Sequence, residues 1–143
     1  MPRQKAGILE AFQNPVSIIT GGPGRGKTTI IRFIIAVQEA LNKNAEILLC
    51  APTGRARRRM SDCTAYPALT IHKAVGLKGE AGEEEWSEEC SIQAELIIVD
   101  ECSMIDMYLM DKFLSRVQNG TRMVFLGDKD QLESVGPGNV LKR

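Results

Sequence analysis

The chain has 143 residues and a formal net charge of zero; 43% of its residues are hydrophobic and 25% are charged. This length is typical of one domain, and the composition is that of a globular protein with a substantial core. No apolar run approaches the ~20 residues of a membrane-spanning helix, and a neutral chain gives no support to a nucleic-acid footprint over its whole surface.

Short apolar runs alternate with segments of helical length. We predict strands at 16–20, 46–50, 96–99 and 123–126, and helices at 27–41, 55–63, 70–77 and 106–117. This alternation favours an α/β fold with a mostly parallel sheet and helices on both faces. Each predicted strand ends in a polar or glycine-rich turn, and ligands bind at that carboxyl edge of open α/β sheets. Residues 78–90, KGEAGEEEWSEEC, are interpreted as an acidic solvated linker.

The first strand and helix enclose the pattern G-x-x-x-x-G-K-[ST], which runs from Gly21 to Thr28. Such a loop points backbone N–H groups at phosphates, and the helix that follows adds its dipole. Lys27 is expected to reach the β- and γ-phosphates of ATP, and Thr28 to bind Mg²⁺. Arg25 either points to solvent or leans over the phosphate site. The candidate nucleotide-binding residues of the loop are Gly22, Pro23, Gly24, Arg25, Gly26, Lys27, Thr28 and Thr29.

Two carboxylates, Asp100 and Glu101, follow the apolar run Leu96–Val99. An aspartate at the end of such a strand is suited to hold Mg²⁺, and the adjacent glutamate to orient and deprotonate the attacking water. Glu101 separates a hydrolase from a nucleotide binder, because binding alone does not require it.

A third polar segment, 127–131, follows the last predicted strand. Gln131 can hydrogen-bond the γ-phosphate or the attacking water and so take part in catalysis. A polar turn without a chemical role explains the same residues equally well.

The four cysteines, Cys50, Cys63, Cys90 and Cys102, are scattered and include no C-x-x-C pair. Zinc sites need closer ligand pairs, and disulfide frameworks are typical of exported chains, whereas the N-terminus carries no secretory signal. We expect reduced cysteines, mostly in or near the core of a cytoplasmic protein.

Taken in order, these segments resemble the first RecA-like motor domain of a superfamily 1 DNA helicase of the RecD-like, 5′-to-3′ type. The stretch "GGPGRGKTT" resembles motif I, "APTGRARRRM" motif Ia, "TIHKAVG" the T-I-H segment, "VDECSMID" motif II and "GDKDQLESVGPGNVL" motif III. Motifs I and II are shared with many nucleotidases, and the other three are much more specific. The resemblance covers nearly the whole chain and implies a RecA-like P-loop NTPase fold and an ATP- and Mg²⁺-dependent helicase.

The resemblance also implies roles for individual residues. Gln4 stands where the family's adenine-reading glutamine is expected, and Gln131 would couple the state of the γ-phosphate to the DNA-binding surface. Single-stranded DNA is the implied partner. The residues expected to face it are Pro52, Thr53, Gly54, Arg55, Thr70 and His72.

Some positions depart from the family pattern or allow two interpretations. Arg25 replaces the usual Thr or Ser, Cys102 an Ala and Glu133 a Pro, and none of these changes removes a group that ATP chemistry needs. His72 is the only histidine, and outside the matched T-I-H segment a structural role would be favoured. The arginines of the motif Ia helix either contact DNA phosphates, at one or two positions at most, or form a solvated face: Arg55, Arg57, Arg58 and Arg59.

Residues 1–143 are expected to be part of an N-terminal motor domain, because family members continue into a second RecA-like domain that carries further DNA contacts and arginines for the ATP site. We therefore expect a weakly active or inactive fragment that lacks the second domain. The alternatives are a stand-alone nucleotide-binding module that needs a partner chain, a superfamily 1 RNA helicase, or another P-loop NTPase. The segments APTGRA and TIH argue against an AAA-type ATPase.

Overall fold

The computed structural model describes residues 8–9, 11–20, 26–76 and 92–127. Its five strands are β1 (Val16–Thr20), β2 (Ile47–Ala51), β3 (Ala68–Thr70), β4 (Leu96–Val99) and β5 (Arg122–Gly127). Its helices are α1 (Lys27–Leu41), α2 (Gly54–Thr64), α3 (Ile71–Ala74) and α4 (Met107–Arg116), with a 3-10 turn at Cys102–Met104. Residues 8–9 and 11–13 are also helical. None of the helices in these ranges is long and apolar enough to cross a membrane.

The five strands form one sheet in the order β1-β5-β4-β2-β3, and every neighbouring pair is parallel. The α/β fold with a parallel sheet is therefore confirmed. Strand β5, the last of the described strands along the chain, lies between β1 and β4. The strand that leads into the phosphate loop is thus separated by one strand from the strand that leads into Asp100.

Two apolar layers cover the sheet. On one face, α1 and α2 pack through residues such as Ile34 and Met60, and on the other the 3-10 turn, α3 and α4 pack through residues such as Phe113. Alternate strand residues face opposite layers, so Ile98 belongs to the first cluster and Ile97 to the second. All four residues of β4 are fully buried, which fixes the strand that carries the carboxylates at the centre of the core.

The main difference from the predicted elements lies between residues 68 and 77. The predicted helix 70–77 is a single turn, Ile71–Ala74, preceded by the unpredicted strand β3. Strand β3 has only three residues, which is too short for an alternating pattern to be read from sequence. Strand β2 begins and ends one residue later than predicted, within the usual uncertainty of element boundaries.

Strand β1 departs from the expectation that helices cover both faces. The side chains of Val16 and Ile18 are 48% and 52% exposed, on the face opposite α1. Together with Met110, Leu114 and Phe125 they line an apolar groove of about 280 Å³. Among the described residues, no helix covers this face of β1.

The core predicts a clear contrast between two identical substitutions in strands. Ile98→Val removes a methylene from a fully buried position and should lower the free energy of unfolding by about 0.5–1.5 kcal/mol. Ile18→Val makes the same change at a half-exposed position and should stay within about 0.5 kcal/mol of the wild type. Urea unfolding monitored by circular dichroism measures both, and equal losses would contradict the assignment of the core.

Candidate functional site

The parallel sheet brings the predicted motifs to one edge. Strand β2 ends before Pro52-Thr53-Gly54, β3 before Ile71-His72, and β4 before Asp100-Glu101. Strand β1 runs toward the same edge, and α1 begins there at Lys27. The candidate site is therefore assembled from segments that are far apart in sequence.

Helix α1 begins with a glycine that the backbone requires. Gly26 has a φ of 76°, a left-handed conformation that a residue with a Cβ adopts only under strain. Its carbonyl accepts the first helical hydrogen bond, from the N–H of Ile30 at 2.9 Å. Lys27 is the first helical residue and is half-buried, whereas Thr28 and Thr29 are exposed. This geometry leaves the exposed hydroxyl of Thr28 at the positive end of a helix of 15 residues.

Asp100 is a mostly buried carboxylate at the end of β4. Its backbone N–H donates to the carbonyl of Cys50 at 3.0 Å, and its Oδ1 accepts from the N–H of Glu101 at 2.8 Å. Burial raises the pKa of Asp100, while the N–H of Glu101 and the positive charges of Lys27 and Arg59 partly oppose this rise. Both cations are thus within electrostatic reach of Asp100.

Glu101 adopts an unusual backbone conformation. Its φ and ψ are 54° and 38°, the left-handed region that costs a non-glycine residue free energy. Its carbonyl accepts from the N–H of Met104 at 3.0 Å, which closes the 3-10 turn. Its side chain is only 13% exposed, and Oε1 lies 3.6 Å from Nη1 of Arg59. The fold therefore holds Glu101 at the edge of the sheet by its backbone and by one cation.

Arg59 is the site residue that the sequence did not single out. It was one of four arginines on a predicted helix, with DNA contact or solvation as its interpretations. Its contact with Glu101 depends on how α2 packs beside β4, which the sequence does not give. The only signal was the helical spacing of the buried residues Ala56 and Met60, which fixes the rotation of α2.

The candidate DNA-facing threonines also cap helices. Oγ1 of Thr53 accepts from the N–H of Ala56 at 3.1 Å, and Oγ1 of Thr70 from the N–H of Lys73 at 3.2 Å. A hydroxyl that accepts in this way still has its proton to donate. Arg55 and His72 are exposed beside them. These positions share the carboxyl edge of the sheet, and their role toward DNA stays a prediction.

Several predicted site residues lie outside the described residues. They are Gln4, Gly22, Pro23, Gly24, Arg25 and Gln131, together with Glu133, the acidic segment 78–90 and most of motif III. Their roles stay predictions.

The described cysteines carry no disulfide. Cys50 and Cys102 are buried as expected, whereas Cys63 is exposed on α2, and Cys90 lies outside the described ranges. Burial raises the pKa of Cys50 and of Cys102 to about 12, so neither thiol is a nucleophile at neutral pH. In the same part of the chain, no three His, Cys, Asp or Glu residues cluster as a metal site.

The family is decided by a match over almost the whole sequence. Residues 4–137 match the family described as "AAA domain". This chain belongs to the AAA domain family. This family match is compatible with the predicted RecD-like resemblance, because the same chain aligns with the RecD subunit and with the RecD2 helicase.

The relatives of this AAA domain confirm the predicted resemblance to RecD-like helicases. It is 34% identical to the RecBCD enzyme subunit RecD of Haemophilus influenzae, with 96% of this chain and 25% of that protein aligned. It is also 34% identical to the ATP-dependent RecD2 DNA helicase of Deinococcus radiodurans, with 96% and 19% aligned. The chain thus spans about a quarter of the length of the RecD protein and less of RecD2.

Solved structures show the same fold. The Pif1 helicase from Candida albicans superposes with a TM-score of 0.68 at 22% identity, over 95% of this chain and 34% of that one. The UvsW helicase from bacteriophage T4 superposes with a TM-score of 0.65 at 16% identity, over 87% and 51%. The RecA-like architecture expected from the resemblance is therefore confirmed.

The buried carboxylate predicts a pH-dependent cost to stability in metal-free buffer. Because the folded-state pKa of Asp100 is raised, its ionisation opposes folding. The neutral acid carries no such cost below the pKa of the unfolded chain, and stability is lost as the pH rises through the folded-state pKa. Asp100→Asn should therefore match the wild type in acid and be the more stable protein at pH 7.

Urea unfolding over a pH series measures this difference. Asp111→Asn, at an exposed position of α4, is the matched control and should show no such gain. A stability advantage for Asp100→Asn that shrinks toward neutral pH would contradict the assigned burial.

Proposed function

We propose that this AAA domain is the ATP-binding and ATP-hydrolysing motor domain of a RecD-like DNA helicase, and that hydrolysis drives translocation on single-stranded DNA. The observation that carries the proposal is that Lys27 begins α1 at the sheet edge where Asp100 and Glu101 follow β4. Lys27 is there within electrostatic reach of Asp100. The similarity to RecD and to the RecD2 DNA helicase supports DNA as the nucleic acid.

The residues present fit a Mg²⁺–ATP complex. Asp100 is a carboxylate whose burial raises its pKa, so a nearby cation would relieve the cost of its charge. Mg²⁺ prefers a few oxygen ligands and shares the rest with phosphates and water. Thr28 and Asp100 would hold the metal, which when bound neutralises charge on the β- and γ-phosphates. Lys27 adds a second positive charge to the same phosphates.

Glu101 is suited to act as the general base. Its carboxylate is mostly shielded from solvent and its backbone is fixed by the 3-10 turn. A positioned carboxylate can orient the attacking water and accept its proton as the water oxygen bonds to the γ-phosphorus and the bond to the leaving ADP breaks. Because only this step needs Glu101, its loss should leave ATP binding intact.

The DNA track is proposed along the same edge, over the start of α2 and the turn after β3. Pro52, Thr53, Gly54 and Arg55 lead into a helix of 11 residues whose positive end favours a phosphate. The hydroxyl protons of Thr53 and Thr70 and the exposed Arg55 and His72 supply further donors. Such contacts follow the backbone of a single strand without reading its sequence.

We also propose that residues 1–143 are the first motor domain and that a second RecA-like domain completes the machine. This chain spans 25% and 27% of the length of two RecD subunits that it matches, so each of these relatives is about four times as long. A second domain would contribute arginines toward the phosphates, a contribution worth about 10³–10⁵ in rate where measured for arginine fingers. Further sequence or a partner chain would supply it.

The role of Glu101 is tested by Glu101→Gln in the protein at its native length. Turnover of ATP should fall by about 10²- to 10⁴-fold because the general base is lost. The dissociation constant of Mg²⁺–ATP, measured with a fluorescent analogue, should stay within a factor of about two. Lys27→Ala is the contrasting variant and should lose affinity as well. Unchanged turnover in Glu101→Gln would remove Glu101 from the mechanism.

The role of a second domain is tested on the 143-residue chain itself. It should bind Mg²⁺–ATP weakly, hydrolyse it slowly, and fail to separate a forked DNA duplex, because no second domain closes over the nucleotide. Isothermal titration, phosphate release and a strand-displacement assay measure these three properties. Robust unwinding by this chain alone would defeat the proposal that a second domain is needed.

A further inference from the structure

The contact between Arg59 and Glu101 joins the two proposed halves of the motor. Nη1 of Arg59 lies 3.6 Å from Oε1 of Glu101. Arg59 belongs to α2, six residues after Thr53, so it lies roughly 9 Å along the helix from the proposed DNA contact. One rigid helix therefore begins at the DNA track and contacts the proposed general base.

Arg59 is distinct among the arginines of α2. Arg55, Arg57 and Arg58 make no ion pair with any residue in the described ranges. Its contact with Glu101 shows that Arg59 lies on the side of α2 that faces the end of β4. The packing of α2, rather than the number of arginines on it, therefore determines that Arg59 is the one that contacts Glu101.

The two partners differ in their access to solvent. The side chain of Arg59 is 60% exposed, whereas that of Glu101 is 13% exposed. The guanidinium of Arg59 is therefore accessible to an incoming phosphate, whereas the carboxylate of Glu101 is mostly shielded. Arginine pairs with phosphate through two parallel hydrogen bonds, which is a stronger arrangement than one contact at 3.6 Å.

We infer that Arg59 is a positioning residue that holds Glu101 in a resting place and releases it when a DNA phosphate draws the guanidinium away. This inference rests on the proposed function. A carboxylate oxygen engaged by a guanidinium is less available to orient the attacking water. Arg55 lies one helical turn nearer the DNA track on the same side of α2, so it can guide the phosphate toward Arg59. DNA binding would thereby speed hydrolysis without touching the nucleotide.

The size of the effect follows from the exposure of the pair. Contacts of this kind are weak, so their loss shifts the population of the free carboxylate by about two- to fivefold. Arg59→Ala should therefore raise kcat for ATP in the absence of DNA by about this factor. It should leave KM unchanged and lower the ratio of turnover with DNA to turnover without it.

The experiment compares Arg59→Ala and four further variants with the wild type at native length, at saturating ATP, with and without an unstructured oligodeoxythymidine. Arg58→Ala removes the same charge from the same helix away from Glu101, and should keep the DNA-free kcat of the wild type. Arg59→Lys keeps the charge and should restore part of the restraint, and Arg59→Gln keeps most of the side-chain length and should behave like Arg59→Ala. Lys27→Ala reports whether the turnover belongs to this site. Circular dichroism confirms folding of each protein.

The outcomes separate this inference from the proposed function. A higher DNA-free kcat in Arg59→Ala and Arg59→Gln, but not in Arg58→Ala, supports the restraint. Equal behaviour of Arg59→Ala and Arg58→Ala overturns it, and so does an equal loss of kcat with and without DNA, which would make Arg59 a support of the active geometry. Turnover that does not depend on Lys27 defeats the proposed function, and the inference with it.

Discussion

The parallel alignment of β1, β5 and β4 is the constraint on which the candidate site depends. Neighbouring strands lie about 4.8 Å apart, so β1 and β4 are about 10 Å apart with β5 between them. The register places Thr20 level with Gly127 and Val99 level with Phe125, so β1 runs two residues further than β4 toward the same edge. The start of α1 and the Asp100-Glu101 pair therefore lie at the same edge of the sheet.

Two features of the site cost free energy in the folded protein. Burial opposes the charge of Asp100, and Glu101 occupies a left-handed backbone conformation. Both costs are borne by an element whose four preceding residues are fully buried between two apolar layers. Strain and buried charge at one sheet edge are typical of sites prepared for a ligand. The contact of Arg59 with Glu101 adds a weak restraint, which a DNA phosphate at the start of α2 would remove under the inference above.

The sequence predicted the elements with long, uniform patterns and missed those that depend on packing. Strand β4 and helix α1 were readable because an unbroken apolar run and a 15-residue helical pattern leave few alternatives. Strand β3 was missed because three residues show no period. The order of strands, with β5 between β1 and β4, and the contact of Arg59 with Glu101 come from tertiary packing, which spacing along the chain does not encode. The sequence predicts Asp100 and Lys27 as site residues because each stands in a recognisable motif. That they lie at the same edge follows only from the order of strands in the sheet.

The central claim is that one sheet edge forms a single Mg²⁺–ATP site. A crystal structure of the protein with Mg²⁺ and a non-hydrolysable ATP analogue tests it most directly. We expect phosphate oxygens within hydrogen-bond distance of Nζ of Lys27, and Mg²⁺ bound by the hydroxyl of Thr28 and bound to Asp100 directly or through one water. A nucleotide bound elsewhere, or a metal out of reach of Asp100, would contradict it.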